Sequence, residues 1–122
     1  MNILAVGVGG FFGAIGRFLL GQYIPVVDGF PFPTLLANWI GCFLLAWLLA
    51  KVSLNWHPQS KLAVTTGFFG AFTTFSTFSL ETVQLIQENA LFLALLYVLV
   101  SIVGGLVLSF LGYRLANGGR TA

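Results

Sequence analysis

The chain has 122 residues, of which 58% are hydrophobic, 16% aromatic and only 7% charged, with a mean hydropathy of +1.00. Soluble domains carry about 25% charged residues, so this composition belongs in a lipid bilayer, and the length allows one domain of at most four helical spans of about 20 residues each. A formal net charge of +2, from five Lys and Arg against three Asp and Glu, is no nucleic-acid footprint, and the single cysteine, Cys42, excludes an internal disulfide and a thiolate metal cage.

Charged residues divide the chain into four long neutral stretches, the strongest topological signal in a membrane protein. The first, 3–24, is interrupted only by Arg17 and Gln22 and is followed by a turn from Pro25 to Pro33 that holds Asp28 and Gly29. It has no basic start and no A-x-A site, so a cleaved signal peptide is not expected. The second, 32–51, closes at Lys51 and is followed by a short polar linker from Ser53 to Ser60 with Asn55, His57 and Pro58. The third, 62–85, is free of charge from Leu62 to Leu80, and the fourth, 89–114, from Asn89 to Tyr113, with a small tail from Asn117 to Ala122. Each stretch is continuous, where a barrel strand would alternate over about 10 residues. The prediction is an all-α integral membrane protein forming a single transmembrane domain of four helices.

Four spans put both termini and the second loop on one face, with Lys51, Lys61, Arg114 and Arg120. Asp28, Glu81 and Glu88 fall on the other, with Arg17 nearer to it. The Lys/Arg bias places the termini in the cytoplasm. The first stretch contains six glycines, with Gly9, Gly13 and Gly16 at helical spacing, and the fourth carries Ser101, Gly105, Ser109 and Gly112. Such stripes of small residues let helix backbones approach closely, so they read as packing faces. Four helices fill their own interior with side chains, so transport requires an oligomer, most economically a two-fold dimer.

The third stretch carries the chemistry. From Leu62 to Leu80, seven of 19 residues are Ser or Thr and five are Phe, and residues 67 to 80 read GFFGAFTTFSTFSL. Gly67 and Gly70 followed by β-branched Thr73 and Thr74 lower helix propensity and predict a break near the middle of the span. Backbone freed at membrane depth is tolerated where it lines a cavity or binds something, and its carbonyls are hard-oxygen ligands for a small cation. The plainer alternative is that the hydroxyls bond back to the preceding turn. Phe75 and Phe78 share a helix face, with Ser76 and Thr77 between them. Ring edges are electropositive, so such rings can accept a small anion without trapping it, while hydroxyls replace part of its hydration shell. Asn38, the one amide inside the second stretch, is either a helix clamp or a ligand donor. Arg17, the one charge well inside a span, either snorkels to the interface or draws an anion to a vestibule.

The segments GGFFGAIGR at 9 to 17, TLLANWIG at 34 to 41 and, above all, GFFGAFTTFSTFS at 67 to 79 resemble those of the CrcB/Fluc fluoride channels, over all four spans. The resemblance implies a passive, fluoride-selective channel that exports cytoplasmic fluoride and confers fluoride resistance, a multi-pass protein of the cell's inner (plasma) membrane. It implies two chains inserted in opposite orientations, an antiparallel dual-topology homodimer with two pores, or a heterodimer with a paired homologue. Phe75 and Phe78 become the phenylalanines along the pores, Asn38 the polar residue of the second helix, Ser76 and Thr77 part of a polar track, and Arg17 the vestibule arginine. Tyr97 and Ser101 resemble further pore-side positions. A structural sodium ion is implied at the break, held by the backbone carbonyls of Gly70 and Thr73 from both chains. The chain departs from the family's usual pattern at Pro33, Phe69 and Ala71.

The principal rival is a cation/proton antiporter of the small multidrug-resistance type, which needs a carboxyl inside the membrane; Asp28, Glu81 and Glu88 fall at segment ends. A non-transporting assembly subunit would leave the Phe, Ser and Thr cluster without a purpose. An enzyme is not expected, because His57 stands alone in a loop and no acid, base and nucleophile can be grouped.

Overall fold

The computed structural model describes residues 2–52 and 55–118; Arg120 and the end of the tail lie outside the described residues. The elements are α1 (Asn2–Tyr23), α2 (Phe32–Val52), α3 (Pro58–Leu62), a π-helical segment (Ala63–Phe69), α4 (Gly70–Phe72), α5 (Phe75–Gln87) and α6 (Leu91–Asn117). Asn2–Tyr23, Phe32–Lys51 and Leu91–Asn117 are each long and apolar enough to cross a membrane. The chain is therefore an all-α membrane protein. The third neutral stretch differs from these three, because it is assembled from α3, the π segment, α4 and α5, with two extended residues between the last two.

The connections follow from local chemistry. Asp28 and Gly29 adopt positive φ, 52° and 82°, and the Phe30 N–H bonds the Val27 carbonyl at 2.9 Å. Glycine bears that left-handed conformation without a Cβ penalty. Pro33 stands in the first turn of α2, where its missing N–H would have no helical partner. His57 caps α3, its Nδ1 accepting from the Gln59 N–H at 3.3 Å. The end of α5 is a Schellman turn: Asn89 is left-handed at φ 59°, the Ala90 N–H reaches the Leu85 carbonyl at 2.8 Å, and the Asn89 N–H reaches Ile86 at 3.1 Å.

Two packed pairs build the bundle, α2 with α6 and α1 with the π segment and α4. The glycine stripes set both. A Cβ on Gly9 would run into the Ala63 carbonyl, one on Gly13 into that of Phe68, and one on Gly112 into that of Phe43. Gly105 lies against the Cys42 thiol, and Ser109 donates to the Cys42 carbonyl at 3.4 Å. Gly104, outside the expected stripe, makes room for the Trp39 ring, whose Nε1 donates to the Val100 carbonyl at 3.2 Å. The buried cluster is small and comprises Phe30, Leu35, Leu85, Ala94 and Tyr97, with Trp39 and Phe78 packed on it. Much of the apolar surface points outward, including Phe11, Phe18, Leu99, Leu106 and Phe110, as a lipid solvent permits.

Candidate functional site

The helix breaks at the two β-branched threonines, three and four residues past Gly70. Thr73 (φ −85°, ψ 155°) and Thr74 (φ −150°, ψ 124°) are extended, which ends α4: the Thr73 N–H still reaches the Phe69 carbonyl at 3.0 Å, but the Thr73 carbonyl and the Thr74 N–H leave helical pairing. Asn38 supplies the missing partners. Its Oδ1 accepts from the Thr74 N–H at 2.8 Å and its Nδ2 donates to the Thr74 carbonyl at 3.1 Å, so a side-chain amide replaces one rung of backbone. Thr74 then starts α5. Its Oγ1 accepts from the Thr77 N–H at 3.2 Å, a threonine N-cap, and lies 3.2 Å from Thr77 Oγ1 and 3.3 Å from Ser76 Oγ.

These bonds decide which carbonyls are relieved. In a continuous helix the Gly70 carbonyl would accept from the Thr74 N–H and the Thr73 carbonyl from the Thr77 N–H. The first donor is taken by Asn38 and the second by the Thr74 hydroxyl. Gly70 is exposed, and a Cβ there would meet nothing within 4 Å. Among the described residues, no group of three His, Cys, Asp or Glu side chains is placed to hold a metal ion. Thr65, Thr73 and Thr82 do bond back to the carbonyls of Lys61, Phe69 and Phe78, at 2.7, 2.7 and 2.8 Å. The plainer reading of the hydroxyls therefore holds for those three and fails for Thr74, Ser76 and Thr77.

The predicted residues fall around two neighbouring cavities. One, of about 370 Å³, is lined by Asn38, Thr73, Thr74, Phe75, Phe78 and Ser101 together with Cys42 and apolar residues of α2 and α6. The Phe75 and Phe78 rings stand 5.8 Å apart at 43°, with Phe75 79% exposed and Phe78 half-buried. Ser101 Oγ is buried without a hydrogen-bond partner among the described residues. The second cavity, also about 370 Å³, brings Arg17 of α1 to Thr77 of α5 and Thr34 of α2. Ser76 is exposed beside the cap.

Tyr97 lines neither cavity in this chain. It is fully buried, its ring packs on Phe78 at 5.1 Å and Phe30 at 5.6 Å, and its hydroxyl donates to Glu81 Oε2 at 2.7 Å. The other carboxyl oxygen of Glu81 accepts from Thr34 Oγ1 at 2.8 Å. One carboxyl thus ties α2, α5 and α6 together. From the sequence, Glu81 is expected at the end of a neutral stretch, like Asp28 and Glu88. Its inward position is a correction, because α5 runs on to Gln87 and carries Phe78, Glu81 and Leu85 on one face.

The profile of the family described as CrcB-like protein, Camphor Resistance (CrcB), matches residues 4–113. The chain is 44% identical over 121 residues to a Geobacillus kaustophilus protein named fluoride-specific ion channel FluC 2, covering 96% of this chain and 94% of the relative. It is 49% identical over 118 residues to fluoride-specific ion channel FluC 1 of Bacillus cereus, covering 93% and 82%. It is 48% identical over 116 residues to fluoride-specific ion channel FluC of Methanocaldococcus jannaschii, covering 94% of each chain.

Proposed function

Since the chain belongs to the CrcB/FluC family, we propose that it is a fluoride-selective passive channel that lets cytoplasmic fluoride leave the cell across its inner membrane. It is not an enzyme. The observation that carries the reading to particular residues is the cavity at the helix break, where Phe75, Phe78, Asn38 and Ser101 converge.

Each group there suits a small, strongly hydrated anion. Phenyl edges are electropositive. The Ser101 hydroxyl has no partner among the described residues, and Asn38 keeps a second amide hydrogen after giving one to Thr74. Asn38 then serves both as clamp and as donor. Arg17, with Thr77 beside it, forms a vestibule that draws the anion in, and Ser76 and Thr77 continue the polar track. Tyr97 acts from behind, bracing Phe78. Hydrogen fluoride crosses membranes as the neutral acid and dissociates in the less acidic cytoplasm. An inside-negative potential then drives fluoride outward with about 2.3 kcal/mol per 100 mV, and no fuel is required.

One chain leaves this path unwalled, since Phe75 is 79% exposed. A second copy completes it, and an antiparallel pair of four-span chains, 62–85 forming the broken third span, yields two equivalent pores. On the dyad of such a dimer the relieved carbonyls of Gly70 and Thr73 offer four oxygens, a donor set that fits a structural sodium ion. Bound there, sodium would fix the two breaks against each other.

Fluoride efflux from proteoliposomes, followed with an electrode, tests the function. Rapid efflux that excludes chloride is expected. Absent efflux, equal chloride passage, or transport driven by an imposed proton gradient would overturn it, the last in favour of an antiporter using Glu81.

A further inference from the structure

At the end of the molecule away from the acids, a cavity of about 450 Å³ opens between α1, α2 and the π segment. Every residue lining it is apolar, among them Val8, Phe12, Trp47, Trp56, Val64 and Phe68. A space of this size is in the range of small-ligand sites, and its walls offer nothing to an ion or a sugar. They suit a hydrocarbon chain.

The rim has a different character. Lys51, one turn beyond Trp47, is exposed and holds Nζ 5.4 Å from the centre of the Trp47 ring. Lys61 lies two residues before Ala63, which also lines the cavity. The three acidic side chains are remote from it. Asp28 precedes α2, Glu81 bonds Thr34 in the first turn of α2, and Glu88 shares a pocket with Pro31. That end of α2 is about 30 Å from Lys51 at 1.5 Å per residue. No acidic side chain among the described residues therefore neutralises the two lysines, and Trp47 and Trp56, which line the cleft, are of a residue type enriched where lipid headgroups meet their chains.

We propose that this cleft is a binding site for an anionic phospholipid, with one acyl chain between α1, α2 and the π segment and the phosphate at Lys51 and Lys61. The apolar walls alone would accept any lipid; the two lysines supply the preference for negative charge.

The test uses the fluorescence of Trp47 and Trp56 in the full-length protein carrying Trp39→Phe, reconstituted in phosphatidylcholine with a small fraction of lipid brominated on its acyl chains. Brominated phosphatidylglycerol is expected to quench at about a tenth of the mole fraction that brominated phosphatidylcholine requires. Lys51→Gln with Lys61→Gln should abolish that difference. Arg114→Gln, a charge removed at the same end of α6 but outside the cleft, should leave it intact. Equal quenching by both lipids, a preference that survives the double lysine change, or an equal loss with Arg114→Gln would overturn the proposal. So would protection from both lipids, the result of a second protein copy covering the cleft.

Discussion

Asn38 and Thr74 are joined by two hydrogen bonds that reproduce a backbone pair, the amide oxygen on the N–H and the amide nitrogen on the carbonyl. The relationship explains how a helix opens at membrane depth without leaving polar backbone to face hydrocarbon. It also sets what removing the amide costs. Asn38→Ala orphans one donor and one acceptor, at about 1–3 kcal/mol for each buried group left unmade. The variant is expected to unfold at a lower temperature in detergent and to lose fluoride flux. Asn38→Asp keeps the acceptor for the Thr74 N–H and replaces the donor, so its loss of stability should be comparable or greater, as a carboxylate oxygen then faces the Thr74 carbonyl. Thermal melts of both variants beside the parent check this, and an unchanged melt for Asn38→Ala would show that the clamp carries no load.

Phe75 and Phe78 are neighbours with different surroundings, and truncation should separate their roles. Phe75 is 79% exposed within the chain, so Phe75→Ala removes little packing and its effect should fall on flux. Phe78 is half-buried against Tyr97, so Phe78→Ala should lower both flux and stability, the latter by about 1–3 kcal/mol, less than the full cost of a buried phenyl. Efflux rates and melts measured on the same preparations decide the matter. Normal flux in both variants would contradict the role proposed for ring edges.

Much of this arrangement was legible in the residues. Continuous apolar stretches between charges mark α1, α2 and α6, and Gly67, Gly70, Thr73 and Thr74 mark the break, because propensity and hydropathy are local properties. Four features were not legible, each for a reason of register or distance. The amide of Asn38 admitted two roles until its partner, 36 residues away, was seen. Glu81 borders a neutral stretch, and only the start of α5 at Phe75 shows that it shares a face with Phe78. The π segment changes the helical phase between Ala63 and Phe69, which no 3.6-residue pattern reveals, and with it which glycines of α1 meet which carbonyls. In the fourth stretch the expected stripe ran through Gly105, whereas the tightest approach to Trp39 is at Gly104, a difference of one residue that depends on the orientation of a single indole.

The glycines of α1 should divide into two groups on substitution. At Gly9 and Gly13 a methyl group would overlap the carbonyls of Ala63 and Phe68, which belong to backbone and cannot swing aside. At Gly7 and Gly21 it would meet nothing within 4 Å. Gly7→Ala is therefore expected to be neutral or to stabilise by up to about 1 kcal/mol through helix propensity, and Gly9→Ala or Gly13→Ala to destabilise markedly by forcing α1 off the π segment. Folded yield after extraction and thermal melts provide the measurement. A tolerated Gly13→Ala would mean that α1 and the π segment are farther apart than described.

Thr34 and Tyr97 both donate to Glu81, one to each carboxyl oxygen, and this predicts a particular form of non-additivity. Tyr97→Phe removes one hydroxyl without emptying the ring's place against Phe30 and Phe78, so its cost should be that of one unmade bond to a buried group, about 1–3 kcal/mol. Thr34→Val is the matching change on α2. Glu81→Leu removes the group both donors serve. If the carboxyl is the common acceptor, adding Tyr97→Phe or Thr34→Val to Glu81→Leu should cost less than either change does alone, because the bond it would break is already gone. A double-mutant cycle on stability measures the coupling, expected at about 0.5–3 kcal/mol for residues of one network. Strict additivity of all three changes would show that the carboxyl does not bind these hydroxyls in the membrane-embedded protein.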